Sequence, residues 1–275
     1  ARNIDDAALL LEVIAGHDSR DSTSVPDSGA EYASLINEPP KNKRIGIPRQ
    51  CFAEGISPAV EEKIREAVRV YEKLGYDIRE IDLPHAEYAI AAYYIIATAE
   101  ASSNLARYDG VHYGYRASAV RDLADVYFKS RTQGFGDEVK RRIMLGNFAL
   151  SSGYYDAYYL KGLKVRRLIS EDYTRAFEEV DCILGPTSPT TAFRLGEKTD
   201  DPLTMYLCDI YTNPVNLAGL PALSMNCGFA DGLPVGLHLT GRPFRETELL
   251  GIARAYEQET SFHNRIAPGE RSREV

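Results

Sequence analysis

The fold is decided by the segment that begins VDCILGPTSPTT at Val180 and ends DPLTMYLCDIYTNPVNLAGLPALSMNCGFADGLPVGLHLTG at Gly241. Its apolar run at 181–184 stops at a Gly-Pro pair, which predicts a buried strand that ends in a loop. Two later apolar runs, at 221–228 and 235–241, flank an Asp-Gly turn and predict a β-hairpin. The segment therefore predicts a β-sheet at the centre of the protein.

Upstream of this segment, the sequence alternates between strand and helix patterns and then becomes helical. Residues 44–48 predict a strand, Ser57-Pro58 opens a helix that Gly75 ends, and residues 78–83 predict a second strand. Strand, helix and strand at this spacing predict a βαβ unit with parallel strands. Helices are predicted at 7–15, 88–105, 119–129, 138–150, 154–177 and 247–259.

Composition limits the class of protein. The 275 residues carry a net charge of -8, which argues against a broad nucleic-acid-binding face, since such a face needs clustered Lys and Arg. The four cysteines and five histidines show no metal-ligand spacing, so we expect no metal site. No apolar run approaches the roughly 20 residues of a membrane helix. We therefore expect a cytoplasmic protein with reduced thiols and no membrane segment.

The chain is long enough for one large domain or two modest ones, and we expect one domain across residues 1–275. Residues 17–43 are polar and turn-rich and predict a surface connection. Residues 87–177 predict a tyrosine-rich helical cover, and residues 261–275 predict a polar tail. The chain lacks an initiator Met and opens at once into a helix, so we expect it to be a fragment of a longer protein.

Three motifs connect the sequence with a known family. The likeness lies in NPVNLAGLPALS at 213–224, GLPVGLHLTGRPF at 232–244 and GFGDEVKRRIMLGNFALSSGYYDAYY at 134–159, which resemble the C-terminal half of the amidase-signature family. The resemblance covers nearly the whole chain. It implies an α/β fold, a mixed β-sheet covered by helices on both faces, of which this chain supplies the C-terminal portion. Asn226 stands where related sequences often carry proline, so the strand geometry at this point stays open.

The family's catalytic groups are a Ser, cis-Ser, Lys triad on a Gly/Ser-rich segment, and this sequence contains no Gly-Gly-Ser-Ser-Gly-like run. The resemblance therefore assigns no catalytic residue to this chain, and we expect the chain alone to be inactive. Ser224 and the hydroxyl-rich loop at 187–191 lack the Gly-x-Ser-x-Gly elbow, so we do not expect either to supply a nucleophile.

Arg141 and Arg142 are adjacent on a predicted helix, so they point about 100° apart and only one of them can face a pocket. The pattern alone favours an exposed pair with Asp137 and Glu138 one turn earlier. The resemblance instead assigns Arg142 to the α-carboxylate of glutamine, which a planar guanidinium binds through two parallel hydrogen bonds.

Asp209 lies among apolar residues, where the pattern allows a helix cap, a turn former or a ligand-binding group. The resemblance implies that Asp209 accepts the α-ammonium of glutamine, so that Asp209 and Arg142 clamp the amino-acid head group. It also implies that Tyr93 lines the same pocket. Such a clamp selects free glutamine over neutral amides, because an unpaired buried charge is costly.

The resemblance also implies a function for the complete protein, which hydrolyses glutamine through an acyl-enzyme and passes ammonia to a B subunit. The B subunit uses ATP and Mg to convert Glu-tRNA(Gln) to Gln-tRNA(Gln) for translation, and a small C subunit joins the two in one ligase complex. We expect no cofactor in this chain and tRNA contact only through the B subunit.

Two alternatives stay open. The first is a hydrolase of the same family that acts on simple amides without a tRNA partner. The second is a non-catalytic module that binds a partner or a small molecule. A missing half should leave an unpaired sheet edge and an exposed apolar face, which favours self-association.

Overall fold

The computed structural model of the chain describes residues 1–26, 31–37, 43–52, 55–197 and 202–266, with the backbone alone at 202–204. The chain divides into two compact units. One, which we call the sheet unit, contains Ala1–Ala86 and Ser170–Val275, and the other, the helical unit, contains Glu87–Ile169. The boundary coincides with the start of the predicted helical region at residue 87.

The strands that the structure describes form one five-stranded sheet in the sheet unit. They are β1 (Arg44–Pro48), β2 (Asp77–Ile81), β3 (Cys182–Pro186), β4 (Ala222–Ala230) and β5 (Leu233–Gly241). Their spatial order is β2-β1-β3-β5-β4. The β1 strand pairs in parallel with β2 and β3, whereas β5 pairs antiparallel with β3 and β4. The predicted α/β fold with a mixed sheet is therefore confirmed, and so are the βαβ strands and the hairpin.

The helices follow the predicted order with shifted ends. They are α1 (Ile4–Ile14), α2 (Tyr32–Leu35), α3 (Pro58–Lys73), α4 (Ala89–Leu105), α5 (Leu123–Gly134), α6 (Asp137–Leu150), α7 (Lys161–Glu179), α8 (Pro202–Leu207), α9 (Asn213–Ala218) and α10 (Glu246–Glu259). Short 3-10 turns lie at Arg49–Phe52, Ala86–Tyr88 and Phe262–Asn264, and a π-helical turn lies at Asp156–Leu160.

The core of the sheet unit lies between one face of the sheet and the helices α1, α2, α3 and α10. Tyr71 of α3 is fully buried, stacks on Tyr256 of α10 with ring centroids 5.4 Å apart, and donates a hydrogen bond to the Ile252 carbonyl at 3.2 Å. Leu237 and Leu239 of β5 belong to the same cluster and are fully buried. Alternate side chains of a strand point to opposite faces, so these two leucines fix the inner face of the hairpin.

The β3 strand is buried along its whole length, as its continuous apolar sequence predicts. It extends further than predicted, because the strand does not stop at the Gly-Pro pair: Gly185 pairs with His238 and Pro186 pairs with Leu237. Glycine is required at 185, since a Cβ there would lie 2.7 Å from the Cys51 sulfur. Pairing with β5 thus continues the strand through Pro186, its last residue.

The hairpin between β4 and β5 turns at Asp231 and Gly232, whose φ angles are 51° and 79°. Positive φ at both central residues matches the turn that an Asp-Gly pair favours. The register shifts between Asn226 and Phe229, where Gly228 has φ 145° and donates its N–H to the Asn226 side chain at 2.9 Å. The strand geometry left open at Asn226 is therefore a bulge.

Helix starts differ from the predicted ones where a capping side chain fixes the first turn. The α5 helix begins at Leu123 and not at residue 119, because the Asp122 carboxylate accepts the Asp125 N–H at 2.8 Å. The predicted helix at 154–177 begins with the π-helical turn and continues as α7.

The segments predicted to be polar and irregular are described only in part. Within the predicted surface connection at 17–43, the short helix α2 buries Tyr32, and Ile36 after it is also buried. Residues 27–30 and 38–42 of that connection lie outside the described residues, as do residues 267–275 of the predicted tail at 261–275.

Candidate functional site

The α4 and α6 helices of the helical unit pack with their backbones close together. Gly146 of α6 makes this possible, since a Cβ there would lie 2.6 Å from the Ser102 Cβ and would overlap the Thr98 carbonyl. The Ser102 hydroxyl donates a hydrogen bond to the Asn147 side chain at 2.9 Å, which ties the same two helices. The side chains one turn before Gly146 on α6 are therefore held against α4.

Arg142 lies one turn before Gly146, with 37% of its side chain exposed. Its Nε donates a hydrogen bond to Glu138 Oε1 at 3.0 Å, and its guanidinium carbon lies 5.7 Å from the centroid of the Tyr94 ring. The hydrogen bond with Glu138 raises the pKa of Arg142, which keeps the guanidinium fully charged. Arg141 is more exposed, at 61%, and donates to the other oxygen of Glu138 at 2.6 Å. The pairing with Glu138 that the pattern alone favours is therefore present for both arginines, whereas Asp137 pairs with Lys140 instead.

Tyr93 lies on α4 and is half-buried. Its ring meets the Tyr94 ring edge-on, with centroids 5.2 Å apart and an interplanar angle of 83°. The cation of Arg142 lies over Tyr94, the neighbour of the predicted pocket residue. Tyr93 and Tyr94 thus form one aromatic pair beside Arg142, and the assignment of Tyr93 to a pocket stays a prediction.

Asp209 lies in the sheet unit, in the turn that follows α8 and precedes α9. Its backbone carbonyl accepts the N–H groups of Thr212 and Asn213 at 3.2 and 3.0 Å. The carboxylate has no hydrogen-bond partner in the part of the chain that the structure describes, and the residue is exposed. The apolar neighbours in sequence therefore do not bury Asp209. The backbone forms the turn, and the charged group is left available for a ligand.

Ser224 and the loop after β3 carry the hydroxyl groups that lack a nucleophile elbow. The Ser224 hydroxyl lies 2.6 Å from the Thr187 hydroxyl, so the two share a hydrogen bond. His238, the residue opposite Ser224 in the sheet register, is buried, and burial lowers its pKa to about 4. A neutral, buried imidazole is a structural group of the hairpin.

Two charged clusters in the sheet unit were missed by sequence reasoning. Asp181 is buried, and its carboxylate accepts hydrogen bonds from Arg44 Nη2 at 2.7 Å and from Arg242 Nη2 at 3.1 Å. Asp172 is buried, and its carboxylate lies 3.0 Å from His85 Nδ1 and also pairs with the Arg175 guanidinium. Asp172 and Arg175 are three residues apart on α7, and that spacing is the one sequence pattern that could have predicted part of these clusters.

Membrane-spanning helices and metal clusters are both absent from the described residues. None of the helices there combines the length and the apolar content that crossing a membrane requires. No cluster of three or more His, Cys, Asp or Glu side chains in those same ranges has an arrangement that could hold a metal ion.

Comparison with known sequences gives consistent matches. The family model described as Amidase matches residues 1–250. The A subunit of glutamyl-tRNA(Gln) amidotransferase from Thioalkalivibrio sulfidiphilus is 56% identical over 269 residues, which is 98% of this chain and 56% of that protein. The protein of the same name from Myxococcus xanthus is 59% identical over 268 residues, which is 97% of this chain and 55% of that protein. The chain spans about half the length of the curated relatives it matches.

Solved structures agree with the sequence matches. The crystal structure of the glutamyl-tRNA(Gln) amidotransferase A subunit from Thermotoga maritima superimposes with a TM-score of 0.75 at 40% identity and covers 95% of this chain and 52% of that chain. A bacterial aryl acylamidase of the amidase-signature enzymes superimposes with a TM-score of 0.72 at 20% identity, over 96% of this chain and 53% of that chain. The second likeness establishes the fold alone.

Proposed function

This chain belongs to the amidase family, and from that premise we propose that it is the glutamine-recognising part of a tRNA-dependent amidotransferase. One observation carries the proposal: the chain is 56% and 59% identical to two curated glutamyl-tRNA(Gln) amidotransferase A subunits. An aryl acylamidase with the same fold is 20% identical. The high identity to the two amidotransferase A subunits therefore favours glutamine over a simple amide as the substrate.

Recognition of glutamine rests on its two charged α-substituents in this proposal. Arg142 binds the α-carboxylate, since its guanidinium is charged, partly exposed and supported by Glu138. Asp209 binds the α-ammonium through a carboxylate that is exposed and unpaired within the described ranges. Tyr93 contributes an aromatic wall. A neutral amide such as butyramide has neither charge and leaves both groups without a partner.

The remaining steps belong to other parts of the assembly. Covalent hydrolysis needs an activated serine and an oxyanion site, and this sequence has no Gly-Gly-Ser-Ser-Gly-like run to supply them. The ammonia passes to a B subunit, where ATP and Mg are used to form Gln-tRNA(Gln), and a C subunit joins the A and B subunits. In this proposal the chain itself binds glutamine and does not cleave a bond.

The test compares substrates in the assembled enzyme. A complete A subunit carrying this sequence is assembled with its B and C subunits, and kcat/KM is measured for L-glutamine and for butyramide. Arg142→Ala should lower kcat/KM for glutamine by about a hundredfold and leave butyramide within twofold, because two charge-assisted hydrogen bonds are lost for glutamine alone. Arg141→Ala is the matched control.

An unchanged glutamine-to-butyramide ratio in Arg142→Ala would overturn the proposal. It would favour a hydrolase of simple amides.

A further inference from the structure

The guanidinium of Arg142 is held from two sides within the helical unit. Glu138 Oε1 accepts its Nε–H at 3.0 Å, and its guanidinium carbon lies over the Tyr94 ring, 5.7 Å from the ring centroid. Glu138 lies in the first turn of α6, four residues before Arg142, so both side chains share one face of the helix. The hydrogen bond and the ring contact together limit rotation of a long side chain that would otherwise sample many rotamers.

The hydrogen bond to Glu138 uses only the Nε–H donor of the guanidinium, so the N–H donors on the two terminal nitrogens stay available. The two terminal nitrogens, Nη1 and Nη2, have no hydrogen-bond partner among the residues that the structure describes. The edge between them carries two parallel N–H bonds, which is the geometry that a carboxylate accepts in a bidentate pair. Glu138 therefore engages Arg142 without occupying the edge that a ligand carboxylate needs.

The same carboxylate also balances charge at this position. Glu138 Oε2 accepts a hydrogen bond from Arg141 at 2.6 Å, so one carboxylate serves two guanidinium groups. Two positive charges and one negative charge leave a single net positive charge. Glu138 therefore does not neutralise this turn of the helix.

We propose that Glu138 is a positioning residue that fixes Arg142 so that its Nη1–Nη2 edge faces the α-carboxylate of the amino-acid substrate. This inference rests on the proposed function, since it assumes that Arg142 binds that carboxylate. Glu138 does not touch the substrate. It acts by restricting the side chain that does.

Kinetics in the assembled enzyme test this role. Glu138→Ala should raise KM for L-glutamine about tenfold with kcat within twofold, because an interaction made equally in the ground and transition states is weakened. Glu138→Gln keeps an acceptor oxygen at the same reach and should give an intermediate KM. KM for butyramide, which has no α-carboxylate, should stay unchanged in both variants.

The matched control is Asp137→Asn, which removes the neighbouring acid. Asp137 is 95% exposed and pairs with Lys140, so its removal should leave KM for glutamine unchanged. A second readout comes from the Arg142 Nε–Hε resonance of this chain by NMR. Exchange of the Hε proton with water should be slow in the wild type and in Asp137→Asn, and fast in Glu138→Ala.

The outcomes separate the two claims. If Arg142→Ala abolishes the preference for glutamine but Glu138→Ala behaves like Asp137→Asn, the positioning role is overturned and the proposed function stands. If Arg142→Ala itself leaves the preference unchanged, the proposed function fails. Equal changes in KM for glutamine and butyramide in Glu138→Ala would indicate a merely structural role and would also overturn the inference.

Discussion

At the scale of single residues, burial of His238 on β5 links stability to pH. The residue is 9% exposed, and burial lowers the pKa of its imidazole from 6.5 to about 4. The folded protein thus keeps His238 neutral between these values, whereas the unfolded chain takes up a proton below pH 6.5. The contribution of His238 to stability therefore falls as the pH drops through this window.

We expect the free energy of unfolding of the sheet unit to fall by up to about 3 kcal/mol between pH 7 and pH 4, at 1.36 kcal/mol per unit of pKa difference. Urea unfolding at a series of pH values measures this slope. His238→Gln should flatten the curve between pH 6.5 and 4.5, while His17→Gln, a change at an exposed histidine, should leave it as in the wild type. Identical slopes for the wild type and His238→Gln would refute the assignment.

At the scale of elements, the close approach of α4 and α6 depends on Gly146. A Cβ at this position overlaps the Thr98 carbonyl, and backbone cannot move aside as a flexible side chain can. The two helices would have to separate, and Arg142, one turn away on α6, would lose its contact with Tyr94. Packing of these two elements and geometry of the candidate site are therefore coupled.

Gly146→Ala should destabilise the helical unit by about 2 to 3 kcal/mol, as overpacking of a tight contact does. Gly162→Ala on α7 is the matched control, because its new methyl group would meet only side-chain atoms, the nearest being Ile96 Cγ1 at 3.3 Å. That change should be neutral or mildly stabilising, since alanine favours a helix over glycine by about 0.5 to 1 kcal/mol. Thermal unfolding followed by circular dichroism compares the two. Equal melting temperatures for both variants would contradict this dependence on Gly146.

At the scale of the whole molecule, the chain exposes an apolar surface on α1. The four side chains on it are Leu9, Leu10, Val13 and Ile14, with exposed fractions of 54%, 55%, 75% and 77%. The outer strand β4 also carries no charged residue, whereas the opposite outer strand β2 carries Asp77, Arg79 and Glu80. An uncharged edge and an apolar helix face both favour association between copies.

We therefore expect the purified chain to self-associate with increasing concentration. Multi-angle light scattering between micromolar and submillimolar concentration measures the average mass. Changing Val13 to Lys and Ile14 to Glu should reduce association without loss of secondary structure, because both side chains are largely exposed. A monodisperse monomer at all concentrations in the wild type would contradict this expectation.

Local patterns in the sequence were sufficient to predict most of the sheet unit. The Asp-Gly turn and the βαβ spacing both follow from residues within one local stretch of sequence. Contacts between distant residues were not predictable, because no periodicity links them. Asp181 and Arg44 are 137 positions apart, and His85 and Asp172 are 87 apart.

The candidate site was predicted on a different basis. Pattern alone placed Arg142 in a surface pair with Glu138, and the structure contains that pair. Its role in binding glutamine came from the family resemblance, as did the roles of Asp209 and Tyr93, and all three stay predictions. The free edge of the Arg142 guanidinium is visible only in three dimensions, since it depends on which nitrogen Glu138 engages.

The most direct test of the central claim is calorimetric titration of this chain with L-glutamine. We predict measurable binding by the wild type and by Arg141→Ala, and none by Arg142→Ala. Butyramide, which lacks both α-substituents, should give no heat with any of them. Absence of glutamine binding by the wild type, or equal binding by Arg142→Ala, would contradict the claim that this chain carries the glutamine-recognising part of the enzyme.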